Sequence, residues 1–323
     1  MSNSEANLDQ FCRRYLTQWD KRATVRGQPR YSLPKSLAGH EMFPASWHPV
    51  LEHEAVRKLG KGARHEFLIR AACQFQALVA ELEVDIVAGL CGRLGIQGAG
   101  SIPLPHSARQ VGLTIATDEV YHALLAREFL VEVRKASGIS TDVMSISRDS
   151  VGLALANIQE AAPAALRREA ETMALCIFEN FVTEEMFGLS KKVAVENPFH
   201  LILREHMVDE GRHQVFFQKL LRHMWTTFDE ETRCAFGRVL PGFLDAFLLQ
   251  FDSYIEREVE LLAGLGFSRE QSIGMINESG AAEKRPKRES PHAQNSLSLL
   301  KMVGIDSHPP SRAALVDSGW LAP

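Results

Sequence analysis

The sequence lacks an excess of positive charge and has no long apolar runs. Its 323 residues include 36 Lys and Arg against 40 Asp and Glu, a formal net charge of −4. Nucleic acids and anionic lipids attract proteins through clustered positive charge, so this balance argues against both as partners. No segment approaches the roughly 18 uninterrupted apolar residues that predict a transmembrane helix, and the first residues have no signal-peptide layout. We therefore expect a cytoplasmic protein that acts on a small molecule, with no nucleic-acid or membrane partner.

The sequence also lacks paired cysteine motifs. Its five cysteines are odd in number and widely spaced, and none belongs to a CxxC pair. This pattern predicts free thiols in a reducing compartment rather than disulfides or an iron–sulfur cluster. A Rossmann glycine pattern is absent as well, so reducing equivalents for any redox reaction must come from outside the chain.

Alternating polar and apolar residues, which would predict β-strands, form no run of convincing length. The chain instead contains long segments rich in helix formers and separated by Gly and Pro, which predicts an all-α protein. We expect an irregular N-terminal wrapping segment over 1–62, a helical domain over 63–276, and a polar linker with a C-terminal tail over 277–323. The long helices are predicted at about 66–90, 108–136, 164–190 and 199–225, followed by two stretches after Asp229 and Pro241 and a short helix capped by Ser268.

Two of these helices carry the same Asp-Glu-x-x-His pattern, in TDEVYHA (117–123) and VDEGRHQ (208–214). The i, i+3 spacing places Glu119 with His122, and Glu210 with His213, on one face of each helix. Two such pairs, with one further Glu from each of two other helices, form the di-iron or di-manganese site of ferritin-like bundles. Mixed carboxylate and imidazole ligands favour iron, with manganese as the alternative. The pattern therefore predicts a ferritin-like bundle with a dinuclear metal site in its core.

The remaining ligands are less sharply defined by the residues alone. Glu179 lies among apolar residues in LCIFENFVTEEM and is the best candidate of the third helix. In the first helix Glu83 continues an apolar row, although Glu81 remains an alternative. His206 lies one turn before Glu210, where it is either a further ligand or a histidine of the core or its rim.

Asp118 and Asp209 directly precede the two Glu residues of the repeated pattern. Each is placed to hold the N–H of a ligand imidazole on the opposite helix, and the alternative is an ordinary surface aspartate.

The motifs TDEVYHA, FEN around Glu179 and HMVDEGRH resemble those of diiron arylamine oxygenases of the p-aminobenzoate N-oxygenase type. The resemblance covers about residues 65–225. It implies four carboxylate and three histidine ligands for two iron ions, namely Glu83, Glu119, His122, Glu179, His206, Glu210 and His213.

The resemblance also implies a function. The protein would use O2 to oxidise the nitrogen of a small aryl amine to a hydroxylamine, nitroso or nitro product, in the biosynthesis of an antibiotic or another natural product. Its partners would be the amine, O2 and an external electron donor, either a ferredoxin with its reductase or peroxide through a shunt, and it would form a homodimer. The alternatives are a diiron hydroxylase or oxidative C–C cleaving enzyme that acts at carbon, and a ferritin-like metal-storage or radical-generating subunit.

Overall fold

The computed structural model describes residues 2–27, 32–140, 148–192, 197–248, 251–280 and 287–323. Over these ranges the chain is helical, apart from loops and an isolated bridge between Ala99 and Ile102, which confirms the predicted all-α class. None of the helices in these ranges is long and apolar enough to cross a membrane. The helices are α1 (Asn3–Arg22), α2 (Glu54–Arg57), α3 (Gly60–Leu82), α4 (Gly89–Gln97), α5 (His106–Ser137), α6 (Arg148–Ala161), α7 (Arg167–Ser190), α8 (Pro198–Thr227), α9 (Glu230–Leu248), α10 (Phe251–Ala263), α11 (Arg269–Glu278), α12 (Pro291–Val303) and α13 (Pro309–Asp317).

The bundle is built from α3 with α4, α5, α7 and α8. Helix α7 packs along α8, and α3 and α4 both pack on α5. A six-residue π-helical segment, Glu83–Ala88, joins α3 to α4. Such segments widen one turn of a helix and occur often at functional sites. Here the π-helical segment begins at a predicted metal ligand.

A polar layer that contains both Asp-Glu-x-x-His motifs separates the two large clusters of the apolar core. In α5, Ile115 belongs to one cluster and Phe129 to the other. In α8, Phe217 joins the cluster of Ile115, and Leu203 joins the cluster of Phe129. The two helices therefore run antiparallel, with their Asp-Glu-x-x-His motifs level with each other between the clusters.

The expectation of an irregular segment over 1–62 is wrong for its first part. Helix α1 is 20 residues long and begins with a capping box between Ser2 and Glu5. It packs on α5 and α8 through a narrow stripe formed by Leu8, Cys12 and Tyr15. Because most of the other residues of α1 are polar, this stripe gives only a weak helical signal in the sequence.

The C-terminal region is also more ordered than expected. The predicted tail contains α12, which packs on α7 and α8, and α13, which packs on α9. Leu300, Leu315 and Trp320 are fully buried there, so this region completes the core. Part of the predicted linker, residues 281–286, and most of the polar connection before α6, residues 141–147, lie outside the described residues.

Two helical glycines test this packing, because one lies against a neighbouring helix and the other faces open space. A Cβ on Gly112 of α5 would lie 3.0 Å from the carbonyl oxygen of Cys91 in α4, whereas a Cβ on Gly188 of α7 would meet no atom within 4 Å. Gly112→Ala should force α4 and α5 apart and lower the free energy of unfolding by about 1–3 kcal/mol. Gly188→Ala should raise it by up to about 1 kcal/mol, because alanine favours the helix. Urea unfolding measures both changes, and a stabilised Gly112→Ala protein would contradict the close helix contact.

Candidate metal centre

The polar layer gathers the seven predicted ligands and both aspartates in the interior. None of these nine side chains belongs to a residue more than 7% exposed. Glu83 comes from the π-helical segment, Glu179 from α7, and the others from the level motifs of α5 and α8. An unpaired buried charge destabilises a fold by roughly several kcal/mol. Such a concentration of ionisable groups therefore needs a compensating partner.

The ligand atoms form two overlapping groups, each with all its atoms within 4.8 Å of one another. The first group contains Glu83, Glu119, His122, His206 and Glu210. The second contains Glu119, Glu179, Glu210 and His213. Glu119 and Glu210 belong to both groups, which is the arrangement of two neighbouring cations with two carboxylates between them. Of the two alternatives in the first helix, Glu83 lies in a group and Glu81 in neither.

The two motifs are tied together by reciprocal hydrogen bonds. His122 of α5 has its Nε2 atom 3.1 Å from Asp209 Oδ2 of α8, and His213 of α8 has its Nε2 atom 3.1 Å from Asp118 Oδ2 of α5. An ionised carboxylate only accepts hydrogen bonds, so Nε2 carries the proton in each imidazole. Burial lowers the pKa of both imidazoles, but the acidic groups around them outweigh it and raise the pKa well above its ordinary value. Each Nδ1 atom faces the glutamates and becomes a free electron-pair donor once it loses its own proton.

Three residues that support the aspartates were missed in the sequence. Trp19 Nε1–H donates to both oxygens of Asp118, at 2.8 and 2.9 Å. The backbone N–H of Thr24 donates to Asp209 at 3.2 Å, and the Thr24 hydroxyl and the Arg212 guanidinium also donate to that carboxylate. Trp19 and Thr24 belong to no recognisable motif, and Arg212 lies inside VDEGRHQ, where its charge alone does not reveal its direction.

Several buried atoms of the layer have no hydrogen-bond partner, and they test whether a metal fits. Among them are Nδ1 of His122, Nδ1 of His213, Oε1 of Glu119 and Oε2 of Glu83. His213 Nδ1 lies 2.9 Å from Glu119 Oε1, yet the two atoms are not aligned for a hydrogen bond. Unsatisfied buried polar atoms cost about 1–3 kcal/mol each. Oxygen and imidazole donors aimed at a common space fit iron or manganese, which would satisfy these atoms.

Burial and the charges of neighbouring residues shift the pKa values of the acids and imidazoles in this layer. Burial, reinforced by repulsion from Glu119 and Glu210, raises the pKa of Glu179 well above its ordinary value. Burial also raises the pKa of Glu83 to about 7, although the nearby His206 opposes this shift. Burial and His122 both lower the pKa of His206, but the carboxylates of Glu83 and Glu210 outweigh them and raise it to about 9. Without metal, the layer therefore retains protons at neutral pH.

A third group of potential ligand atoms lies outside the bundle core. It consists of Glu230 and Cys234 of α9 and His308 before α13. Glu230 is exposed, and its carboxylate already accepts a hydrogen bond from His308 at 3.0 Å. This group is therefore explained as a surface ion pair, and the buried layer is the candidate functional site.

Single substitutions should show which of the two glutamates, Glu83 or Glu81, is a metal ligand. We expect Glu83→Ala to reduce the bound metal from about two ions to about one per chain, because the first group loses a carboxylate that only it contains. Glu81→Ala is the matched control and should retain about two ions. Metal analysis after loading and desalting measures both, with circular dichroism to verify folding. Metal loss in Glu81→Ala with retention in Glu83→Ala would reverse the assignment.

Metal affinity should rise with pH. In the metal-free protein, facing carboxylates outweigh burial and raise the pKa of His206 to about 9, and burial raises the pKa of Glu179 well above its ordinary value. Both groups must lose their protons to bind a cation, so each proton released changes the affinity about tenfold per pH unit. Competition with a chelator should show Mn²⁺ affinity rising at least about a hundredfold from about pH 6 to pH 8. A pH-independent affinity would mean that neither group is a ligand.

Comparison with known proteins assigns the chain to a family. The family model described as p-aminobenzoate N-oxygenase AurF matches residues 6–292. The match extends beyond the motif-bearing residues 65–225 and takes in α1 and the beginning of α12. A search of curated proteins finds none that matches the chain. Because the family match covers most of the 323 residues, the chain belongs to the p-aminobenzoate N-oxygenase AurF family.

Proposed function

We propose that the protein is a diiron monooxygenase that uses O2 to oxidise the nitrogen of a small aryl amine to a hydroxylamine, nitroso or nitro product. The observation that carries the proposal is the pair of buried ligand groups that share Glu119 and Glu210, in a chain of an N-oxygenase family. The first oxidation would convert R–NH2, O2, two electrons and two protons into R–NHOH and water. Both electrons must come from an external donor.

In this proposal the seven residues hold two iron ions. Glu83, His122 and His206 would serve one ion, Glu179 and His213 would serve the other, and Glu119 and Glu210 would lie between them. When bound, the iron ions supply the activation of O2 for transfer to the substrate. Carboxylates and imidazoles suit Fe²⁺ and also Mn²⁺, and the family favours iron.

The surrounding residues orient the ligands and exclude water. Asp118 and Asp209 accept the Nε2 protons of His213 and His122, which fixes the tautomer and the direction of each ring. The apolar clusters on both sides of the layer limit the access of water. The protein thereby protects the reduced metal pair from unproductive oxidation, which is a general role of a dry active site.

A cavity beside α5 and α8 is suited to the substrate. It measures about 510 Å³, within the usual range of small-molecule sites, and its lining includes Leu125, Phe129, Ile202, Arg127 and Lys135. Leu125 follows His122 by one turn, and Ile202 precedes His206 by one turn. The apolar residues suit an aromatic ring. The lining also contains three acids, Glu128, Glu132 and Glu205, beside the two cations, so it offers partners for an amine as well as for a carboxylate.

Product analysis tests the proposal. We expect the iron-loaded protein, reduced chemically and exposed to ¹⁸O2, to convert p-aminobenzoate or a related aryl amine into a product with labelled oxygen on nitrogen. Mass spectrometry with fragmentation locates the label. Label on carbon would contradict N-oxygenation and would support a hydroxylase. Recovery of every tested aryl amine without labelled product would reject aryl amines as the substrate class.

A pair of tryptophan substitutions tests the cavity in the same assay. Ile202→Trp should fill the cavity and raise KM by about tenfold or more with metal content unchanged, because excluded substrate loses its binding energy. Val208→Trp, on an exposed position of the same helix, is the matched control and should leave KM within about twofold. Equal KM values in the two variants would place the substrate elsewhere.

A further inference from the structure

The proposed reaction requires two electrons, and its candidate metal centre is closed to a protein donor. All seven proposed ligands lie in residues no more than 7% exposed. Electrons from a redox protein can therefore reach the metal pair only through intervening side chains. Hydrogen-bonded side chains provide the strongest electronic coupling between a buried metal and the surface, short of covalent bonds.

One such chain of contacts runs from the layer to the surface of α1. His213 Nε2 lies 3.1 Å from Asp118 Oδ2, and the same carboxylate accepts the indole N–H of Trp19 at 2.8 and 2.9 Å. On its other side, His213 Nδ1 faces Glu119 Oε1 at 2.9 Å. Trp19 is partly exposed, so the chain of contacts connects the shared carboxylate layer with solvent.

The second imidazole–carboxylate pair has no equivalent extension. His122 pairs with Asp209, whose further partners are Thr24 and Arg212. Neither a hydroxyl nor a guanidinium carries electrons readily, whereas an indole does. The two pairs are similar in their inner contacts and differ in what lies beyond the aspartate.

The segment of chain that contains Trp19 carries a charge opposite to that of the whole protein. Residues 13–26 contain five basic side chains and a single acid, Asp20, in a chain with a net charge of −4. The Arg26 guanidinium lies 5.4 Å from the centre of the Trp19 ring. Complementary charge steers an acidic protein to such a surface and accelerates its association. The basic side chains, all exposed, are Arg13, Arg14, Lys21, Arg22 and Arg26, of which Arg13 pairs with Asp9 at 2.8 Å and Arg26 with Asp20 at 3.6 Å. Arg22, one turn after Trp19, shares the face of α1 that carries the indole.

We propose that Trp19 is the residue through which electrons reach the metal pair, and that the basic surface around it docks an acidic one-electron carrier protein of the ferredoxin class. Each carrier molecule is oxidised by one electron per encounter. Two encounters reduce two ferric ions to ferrous ions, and Trp19 undergoes no net change. This inference rests on the proposed function, because it presupposes a redox-active iron pair.

Reduction kinetics test the role of Trp19. The ferric protein is mixed with a reduced plant-type [2Fe–2S] ferredoxin, and bleaching of the ferric absorption is followed by stopped flow. Trp19→Phe should slow this reduction by about tenfold or more, since it removes the hydrogen bond to Asp118. Trp47→Phe is the matched control, because Trp47 is also partly exposed with a cation, Lys192, 5.7 Å from its ring centre, and should react within about twofold of wild type.

A small reductant separates electron transfer from a purely structural effect. Reduced methyl viologen does not need the docking surface, so the ratio of the ferredoxin rate to the viologen rate, each expressed per bound metal, should fall about tenfold or more in Trp19→Phe. If viologen reduction and metal content fall together with the ferredoxin rate, Trp19 only positions Asp118, and the inference is overturned. An unchanged ferredoxin rate in Trp19→Phe overturns it as well.

Docking can be measured without metal. Isothermal titration of the metal-free protein with oxidised ferredoxin should show binding that weakens as salt increases. Arg22→Glu, one turn after Trp19, should raise Kd by about tenfold, whereas Lys301→Glu, which replaces an exposed cation of α12 by an acid, should alter it by no more than about twofold. Absent binding at low salt, or equal effects of the two variants, would reject the docking surface.

The two proposals fail in distinguishable ways. Protein that accepts electrons through Trp19 but leaves aryl amines unchanged would support the inference and reject the proposed substrate. Chemically reduced wild-type protein that oxidises an aryl amine in a single turnover would support the proposed function, whatever the ferredoxin kinetics. In that case the ferredoxin kinetics alone would decide the role of Trp19.

Discussion

The structure depends on the burial of four carboxylates and three imidazoles in one layer of a helical bundle. Apolar clusters lie on both sides of this layer, so the charges have no access to bulk water. Protons can offset the charge of Glu179 and Glu83, but they leave Nδ1 of His122 and His213 without partners. Two divalent cations satisfy the acids and the imidazoles together. The fold therefore supplies the buried donors that a pair of cations would need.

Reciprocal contacts between α5 and α8 make this layer a structural unit. Asp118 and Asp209 each hold an imidazole of the opposite helix, so displacement of one helix would disturb ligands on both. The N-terminal segment then fixes the aspartates through Trp19 and Thr24. Helix α1 and the turn after it thus belong to the functional site, although they contribute no ligand.

The sequence predicts features that follow from local spacing and fails where contacts join distant residues. Glu119 and His122 are recognisable because i, i+3 spacing places them on one face whatever surrounds the helix. The apolar row that favours Glu83 is local too, but the π-helical segment that begins there leaves no pattern. Trp19 and Asp118 are 99 residues apart, and Thr24 and Asp209 are 185 apart, so no local pattern relates them. Helices α1 and α13 were missed for a related reason, since their few buried residues gain meaning only against the assembled core.

The unequal composition of the two ligand groups makes the two metal positions chemically different. Beyond the shared Glu119 and Glu210, the first group has three donor residues and the second has two. The donors found only in the first group are two imidazoles and one carboxylate. Those found only in the second group are one imidazole and one carboxylate. Identical ions would therefore acquire different affinities and reduction potentials on binding, with more coordination positions left to exogenous molecules on the side of Glu179 and His213. The asymmetry gives the pair a polarity, in which one ion is better anchored and the other is more open to exchange.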